Sequence, residues 1–105
     1  ASDLSHGEKQ RLEIGMAVTL DPVLMLLDEP VAGMSIDETE DIAELIRSLH
    51  HDGMTFLVVE HDMEFVRKVS EQVTVLNQGS ILRQGPIEEI KADAEVRRIY
   101  LGENA

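Results

Sequence analysis

The sequence predicts an α/β fold, and three observations predict it. Residues 24–27 are four consecutive apolar residues between Pro22 and Pro30. A short apolar run bounded by such breakers is typical of a strand that is buried on both faces in a parallel sheet. Residues 55–59 repeat the pattern with β-branched side chains, and a helix-periodic segment at 37–51 lies between the two runs. Strands that alternate with helices indicate a parallel sheet with crossover helices.

Composition narrows the class of protein further. The chain has 105 residues, of which 43% are apolar, so it is long enough for one small domain. It contains no cysteine, which excludes a disulfide framework or a thiolate metal site and favours a reducing compartment. The net charge of −12 predicts that the chain does not bind nucleic acid, because such a surface repels phosphates. Organised sequence begins almost at Ala1, which indicates a piece of a longer polypeptide.

The first helix is predicted to begin at Ser5, with Glu8 at the position that completes a capping box. Its later residues are largely apolar, so we expect it to pack on more than one side before Pro22 ends it. Gly7 lies in the first turn, where glycine weakens a helix by about 1 kcal/mol. Capping alone does not explain this glycine. A helix start with exposed N–H groups and a glycine favours the close approach of an anion.

The second helix is predicted to begin after Ser35, with Glu38 again at capping-box distance. Residues 37–51 form an amphipathic pattern, and Gly53 follows as the C-terminal glycine. Its apolar face consists of Ile42, Leu45, Ile46 and Leu49.

The remaining elements are shorter. Asp62 is predicted to cap a helix at 63–70, and a hairpin follows, with arms at 73–76 and 80–84 around a turn at 77–79. Gly85-Pro86 is predicted to start a helix with proline in its first position. A last helix at 94–101 is predicted to end at Gly102.

Acidic residues and a histidine follow the two predicted strands. Asp28 and Glu29 come directly after the first, and His61 comes just after the second. Ligands of open α/β sheets bind outside the carboxyl ends of the strands. An isolated Asp-Glu pair is most often an ordinary turn, and a lone histidine is most often structural. Here the apolar runs before these residues and the proline after Glu29 favour a functional interpretation.

Four motifs then occur in a recognisable order. Leu4-Ser5-His6-Gly7-Glu8 resembles the signature motif of the ATP-binding-cassette (ABC) family, usually Leu-Ser-Gly-Gly-Gln. Residues 24–29 resemble its Walker B motif, 32–35 its D-loop, and His61 its H-loop histidine. His6 and Glu8 depart from the commonest signature, and Ser35 stands where the family usually has aspartate.

The resemblance implies a role for each of these residues. Asp28 would help to hold Mg²⁺ through water, and Glu29 would orient or deprotonate the attacking water. His61 would contact the γ-phosphate. The residues implied to contact ATP held by a partner subunit are Ser5, His6, Gly7 and Glu8, together with Ser35 of the D-loop.

The resemblance also implies the architecture. Residues 1–105 resemble the C-terminal part of one ABC ATPase domain: a partial P-loop NTPase sheet that lacks the P-loop strand, with flanking helices and a C-terminal β-hairpin plus helices at 72–102. Neither the P-loop nor the Q-loop occurs in the sequence. We therefore expect the chain alone not to hydrolyse ATP. The missing strand would lie between 55–59 and 72–77, so we also expect the exposed edges to cause self-association.

The function implied is part of an ATP-hydrolysing subunit that powers an importer of amino acids, urea or a similar small polar solute. The importer subfamily is implied by residues 75–102 and by 98–103, which resemble the C-terminal end of ATPases that serve branched-chain amino acid and urea importers. ATP and Mg²⁺ would be the cofactors, and a second ATPase subunit and a transmembrane permease the partners. The expected location is cytoplasmic, at the inner face of the cell membrane. Two alternatives are a soluble ABC-type ATPase of DNA repair or chromosome maintenance and a non-enzymatic interaction module.

Overall fold

A computed structural model of the chain describes residues 4–100. It confirms the α/β class, and the chain divides into two compact units, residues 1–65 and 66–105. The elements follow in the order α1 (His6–Val18), β1 (Leu24–Asp28), α2 (Ile36–His51), β2 (Thr55–Val59), α3 (Met63–Val69), β3 (Gln72–Asn77), β4 (Ser80–Pro86), α4 (Ile87–Ala92) and α5 (Ala94–Tyr100).

In the first unit, β1 and β2 form a two-stranded parallel sheet. Leu24 lies opposite Thr55 at one end, and Asp28 lies opposite Val59 at the other. The carboxyl ends of both strands therefore meet at the same edge, as the sequence predicts. The crossover between them is α2, as expected for parallel strands.

The prediction that these strands are buried on both faces is wrong. Met25 is 5% exposed, but its neighbours Leu24 and Leu26 are 46% and 66% exposed. Leu57 and Val59 of β2 are more than half exposed as well. Successive side chains of a strand point to opposite faces, so this alternation means that one face of the small sheet is covered and the other is open.

The prediction that α1 packs on more than one side is also wrong. Only Gly7 and Ile14 of this helix are buried. Leu12 is 53% exposed and Met16 is 62% exposed. The helix packs against α2 along one side, and a two-stranded sheet offers too little apolar surface to cover the rest.

The amphipathic second helix is confirmed. Ile42, Ala43 and Ile46 are buried, and they supply much of the core of the first unit. The helix begins at Ile36, directly after its predicted cap Ser35 and one residue before the amphipathic pattern at 37–51. Asp62 caps α3, because its Oδ1 accepts from the Phe65 N–H at 3.1 Å.

In the second unit, β3 and β4 form the predicted hairpin as a separate antiparallel pair. Gln78 and Gly79 at its tip have φ of 51° and 80°, the signs that a type I′ turn requires. The buried apolar residues of the second unit are Val66, Val75, Ile87, Ile90 and Val96.

The start of α4 differs from the prediction. Gly85 and Pro86 complete β4, so Pro86 is the N-cap residue rather than the first residue of the helix. The ladder with β3 reaches Pro86 opposite Gln72, which holds this stretch extended. The predicted helix end at Leu101 and Gly102 lies outside the described residues.

The second unit contains an ion pair between Arg83 of β4 and Asp93, the residue before α5. Arg83 Nε lies 2.6 Å from Asp93 Oδ2. The pKa of Asp93 is lowered, first by a hydrogen bond from the Val96 N–H and then by Arg83.

Between residues 4 and 100, no helix is long and apolar enough to cross a membrane.

Candidate functional site

Glu29 sits where the chain leaves β1 in a strained backbone conformation. Its φ is 47°, in the left-handed region that costs a non-glycine residue about 1–2 kcal/mol. Its N–H donates to the Val59 carbonyl at 2.8 Å, and its carbonyl accepts from the Ala32 N–H at 3.2 Å. Pro30 and Val31 behind it are buried. The strain is therefore held by packing and by the sheet, which fixes this carboxylate at the sheet edge.

His61 meets Glu29 at this edge. His61 Nε2 lies 2.9 Å from Glu29 Oε1. The imidazole side chain is 73% exposed and the carboxylate 48% exposed, so both remain accessible to solvent. The contact is an ion pair when His61 is protonated, and a neutral imidazole with its proton on Nε2 can donate the same hydrogen bond. The structure thus brings together the two residues that the sequence predicts to be catalytic.

Glu60 joins this pair, although the sequence analysis did not single it out. Its Oε1 accepts from the His61 N–H at 3.0 Å and from the Asp62 N–H at 3.5 Å. Its Oε2 is buried without a hydrogen-bond partner. Among the described residues, ligand atoms of Glu29, Glu60 and His61 lie within 4.8 Å of one another. The position of Glu60 in the sequence, directly between β2 and His61, could have indicated this role.

Asp28, the predicted metal ligand, does not join that cluster. It is the last residue of β1 and is exposed. A carboxylate at a solvent-accessible sheet edge suits a Mg²⁺ ion that keeps most of its water, so the residue fits the role that the resemblance implies. The phosphates of a nucleotide fit this chain less completely, because no phosphate-binding lysine loop occurs in it.

The predicted signature residues lie at the start of α1. Ser5 Oγ accepts from the Glu8 N–H at 3.1 Å, and Glu8 Oε1 accepts from the Ser5 N–H at 3.1 Å. The predicted capping box is therefore confirmed, and it occupies polar atoms of both residues. His6, the first residue of the helix, is exposed.

Ser35 begins α2 in the same way. Its Oγ accepts from the Glu38 N–H at 3.1 Å, and its N–H donates to Glu38 Oε1 at 3.3 Å. The second capping box is confirmed as well. The Ser35 hydroxyl, predicted to face a partner's nucleotide, is exposed and engaged in this cap.

Glu38 also connects the two helix starts. Its Oε2 accepts from the Gly7 N–H at 2.8 Å. The hydrogen bonds from Gly7 and then from Ser35 lower the pKa of Glu38, because they stabilise the ionised carboxylate. A small cavity at this junction is lined by Ser5, Gly7, Glu8, Arg11, Glu38 and Asp41.

The two groups of predicted residues are held separately. No hydrogen bond or ion pair within residues 4–100 links Ser5, Gly7 or Glu8 to Glu29 or His61. The sequence predicts Glu38 only as a local cap. Its bond to Gly7 spans 31 positions of the chain, so no local pattern reveals it.

Comparison with known proteins gives a consistent family. The family model described as ABC transporter matches residues 1–32. A high-affinity branched-chain amino acid transport ATP-binding protein of Salmonella typhimurium, LivG, is 43% identical over 104 residues, which is 98% of this chain and 41% of that protein. The energy-coupling factor transporter ATP-binding protein EcfA2 of Clostridium perfringens is 42% identical over 94 residues, 89% of this chain and 33% of that protein.

Solved structures agree with the sequence relatives. A crystal structure of the ADP conformation of an ATP-binding cassette of an ABC transporter superposes with a TM-score of 0.86 and 32% identity, covering 96% of this chain and 41% of that one. A nucleotide-free ATP-binding cassette gives a TM-score of 0.85 and 31% identity, with 96% and 42% coverage. The chain therefore spans about two fifths of the length of the first relatives that it matches.

Proposed function

Since the chain belongs to the family of ABC transporter ATP-binding proteins, we propose that it forms part of an ATP-hydrolysing subunit of a membrane transporter. The observation that carries this proposal is the contact between Glu29 and His61 at the carboxyl ends of two parallel strands. By resemblance, Glu29 matches the Walker B acid of the family and His61 its H-loop histidine.

The residues divide the chemistry between them. Glu29 would orient a water molecule, or accept its proton, with the carboxylate that its strained backbone directs to the sheet edge. Without nucleotide, His61 holds that carboxylate through Nε2, and a phosphate oxygen would take over the Nε2 donor when ATP binds. Asp28 would bind a metal ion through water. When bound, ATP and Mg²⁺ supply the phosphoryl group and the charge neutralisation that its transfer requires.

The signature residues would serve a second subunit. Ser5, His6, Gly7 and Glu8 lie at the start of α1, apart from the Glu29–His61 pair. In the proposed arrangement they contact ATP that the partner ATPase subunit holds, and Ser35 lies at the same interface. The positive dipole end of α1 favours an anion, although the Gly7 N–H donates to Glu38 in this structure.

We propose amino acids as the transported solutes, because LivG of Salmonella typhimurium and its relatives are named for branched-chain amino acid transport. The resemblance of the sequence leaves urea or another small polar solute as an alternative to amino acids. The subunit would work at the inner face of the cell membrane, attached through a permease. An ATPase of DNA repair or chromosome maintenance is not favoured, since these relatives are transport proteins.

The decisive experiment substitutes Glu29→Gln in the full-length parent protein. We expect ATP turnover to fall by about two to four orders of magnitude, the usual contribution of a positioned acid–base group, while ATP binding is retained. Glu44→Gln is the matched control, because Glu44 is exposed on α2. Unchanged turnover in the Glu29→Gln protein would refute the proposal.

For the 105-residue chain by itself, we propose that it does not turn over ATP, because it has no phosphate-binding loop. A phosphate-release assay on the purified chain tests this. Turnover at about 1 s⁻¹ or faster, in the usual enzyme range, that disappears in the Glu29→Gln chain would contradict it.

We also propose that the isolated chain self-associates. Leu26 and Leu57 are 66% and 56% exposed on the open face of a two-stranded sheet, and unpaired strand edges attract further strands. Light scattering over a concentration series measures the mass. A monodisperse monomer at all concentrations would contradict this proposal.

A further inference from the structure

The carboxylate of Glu38 is shared between two helix starts. Oε1 accepts from the Ser35 N–H of its own helix at 3.3 Å, and Oε2 accepts from the Gly7 N–H of α1 at 2.8 Å. Gly7 is buried at this contact and the bond is partly buried. One side chain therefore fixes the segment before α2 against the start of α1.

Packing at this contact leaves no room for a Cβ at position 7 unless the Glu38 side chain shifts. A Cβ at position 7 would lie 2.7 Å from Glu38 Oε2 and 3.1 Å from Glu38 Cβ and Cγ. At position 15 of the same helix, an added Cβ would meet no atom within 4 Å. Gly7 thus has a structural reason that the sequence analysis lacked: it admits the carboxylate of Glu38.

The electrostatics of the contact resemble those of a bound anion. Glu38 presents a charged oxygen to an N–H group at the positive end of a 13-residue helix, where negative charge is favoured. Arg11 and Asp41 line the same cavity. The Gly7 N–H is also one of the donors that the proposed function assigns to a nucleotide phosphate.

We propose that Glu38 is a positioning residue that ties the segment 32–35 to the start of α1, and that its carboxylate leaves the Gly7 N–H when a nucleotide phosphate takes that donor. One N–H cannot serve a carboxylate and a phosphate at full strength together. Phosphate binding at Gly7 would then free the segment 32–35 from its tie. This inference rests on the proposed function, since it assumes that a nucleotide reaches the signature residues.

The first test measures the tie in the 105-residue chain. In ¹⁵N-resolved NMR, the Gly7 amide resonance should move as Glu38 titrates, and Glu38→Gln should abolish that movement. The Gly15 amide is the internal control, because position 15 has no neighbour of this kind. If the Gly7 resonance changes neither with pH nor with the substitution, the proposed hydrogen bond to Glu38 is refuted. This outcome does not depend on whether the parent protein hydrolyses ATP.

The second test measures the competition in the full-length parent. Glu38→Gln should lower the KM for ATP about two- to fivefold, because an anion no longer competes for a helix-start donor worth roughly 0.3–1 kcal/mol, and it should also lower kcat. Damage to the helix cap alone would raise KM or leave it unchanged, so either result overturns the competition. Glu44→Gln should leave both constants unchanged.

Glu38→Ala provides a second variant, and far-UV circular dichroism establishes that each variant is folded. The larger truncation should lower KM at least as much as Glu38→Gln, and a folded variant with a raised KM would count against the proposal. If the parent hydrolyses no ATP, the proposed function fails while the NMR result still stands. If it hydrolyses ATP and KM does not fall, the inference fails while the proposed function stands.

Discussion

The helices α1 and α2 begin in the same way but have different connections to the rest of the fold. Each has a serine N-cap with φ of −68° and ψ of 168°, and each has a glutamate at the third helical position that completes a capping box. Within residues 4–100, the hydrogen bonds of Glu8 outside the helix ladder stay within its own box. Glu38 adds a bond to Gly7, 31 positions away.

The difference lies in what stands beside each box. A capping box satisfies backbone groups locally, so its hydrogen bonds need no residue from elsewhere in the fold. The second oxygen of a glutamate remains available, and only the tertiary structure decides whether a donor lies within its reach. The same four-residue pattern, Ser-x-x-Glu, is therefore a local cap in α1 and both a cap and an inter-helix tie in α2.

The largest effect on this comparison is expected from a methyl group at position 7, in the space that the Glu38 side chain occupies. Gly7→Ala should lower the free energy of unfolding by about 1–3 kcal/mol, because the added methyl group overpacks a tight contact. Gly15→Ala should raise it by up to about 1 kcal/mol, since alanine favours the helix and meets no neighbour. Urea denaturation measures both.

A double-mutant cycle sharpens that result. In a Glu38→Ala background, most of the cost of Gly7→Ala should disappear, because the oxygen and Cγ that the methyl group would meet are gone. An equal cost in both backgrounds would show that Gly7 is needed for another reason.

Glu38→Gln and Glu8→Gln compare the two boxes directly. We expect the urea midpoint of the Glu38→Gln chain to fall roughly twice as far, because the loss of charge weakens bonds to two helix starts rather than one. A larger fall for Glu8→Gln would reverse the comparison.

The smallest expected effect is the pH dependence of the tie. The pKa of Glu38 is lowered in the folded chain, chiefly by the Gly7 N–H and then by Ser35. A lowered pKa gives stability that is complete above the ordinary pKa of 4.5 and is lost as the pH falls through the folded value. The difference in stability between the wild-type and Glu38→Gln chains should therefore be full at pH 7 and shrink below pH 4.5, as urea denaturation at several pH values would show. A difference that grows on acidification would contradict it.

Much of the local structure follows from the sequence. Ser5 and Glu8, Ser35 and Glu38, and Asp62 form the caps that their spacing predicts. The turn at Gln78 and Gly79 also forms as predicted, because a type I′ turn depends on its own two residues. The contact between Glu29 and His61 is likewise predictable, since both follow parallel neighbouring strands.

Burial was predicted less well. Leu26 and Met16 read as core residues, yet both are more than 60% exposed. An apolar pattern states which side chains would gain from burial, but burial needs a second surface to cover them. The paired strands β1 and β2 do not supply that surface on both faces.

The sequence by itself determined the α/β class, the helix caps, the hairpin turn and the family, because each rests on neighbouring residues or on motifs in a fixed order. The tertiary structure alone decided that Glu38 reaches Gly7, that Glu60 joins Glu29 and His61, and that one face of the parallel pair stays open. These features depend on contacts between residues that are distant in the sequence, and no single stretch of the chain determines the free energy of such contacts.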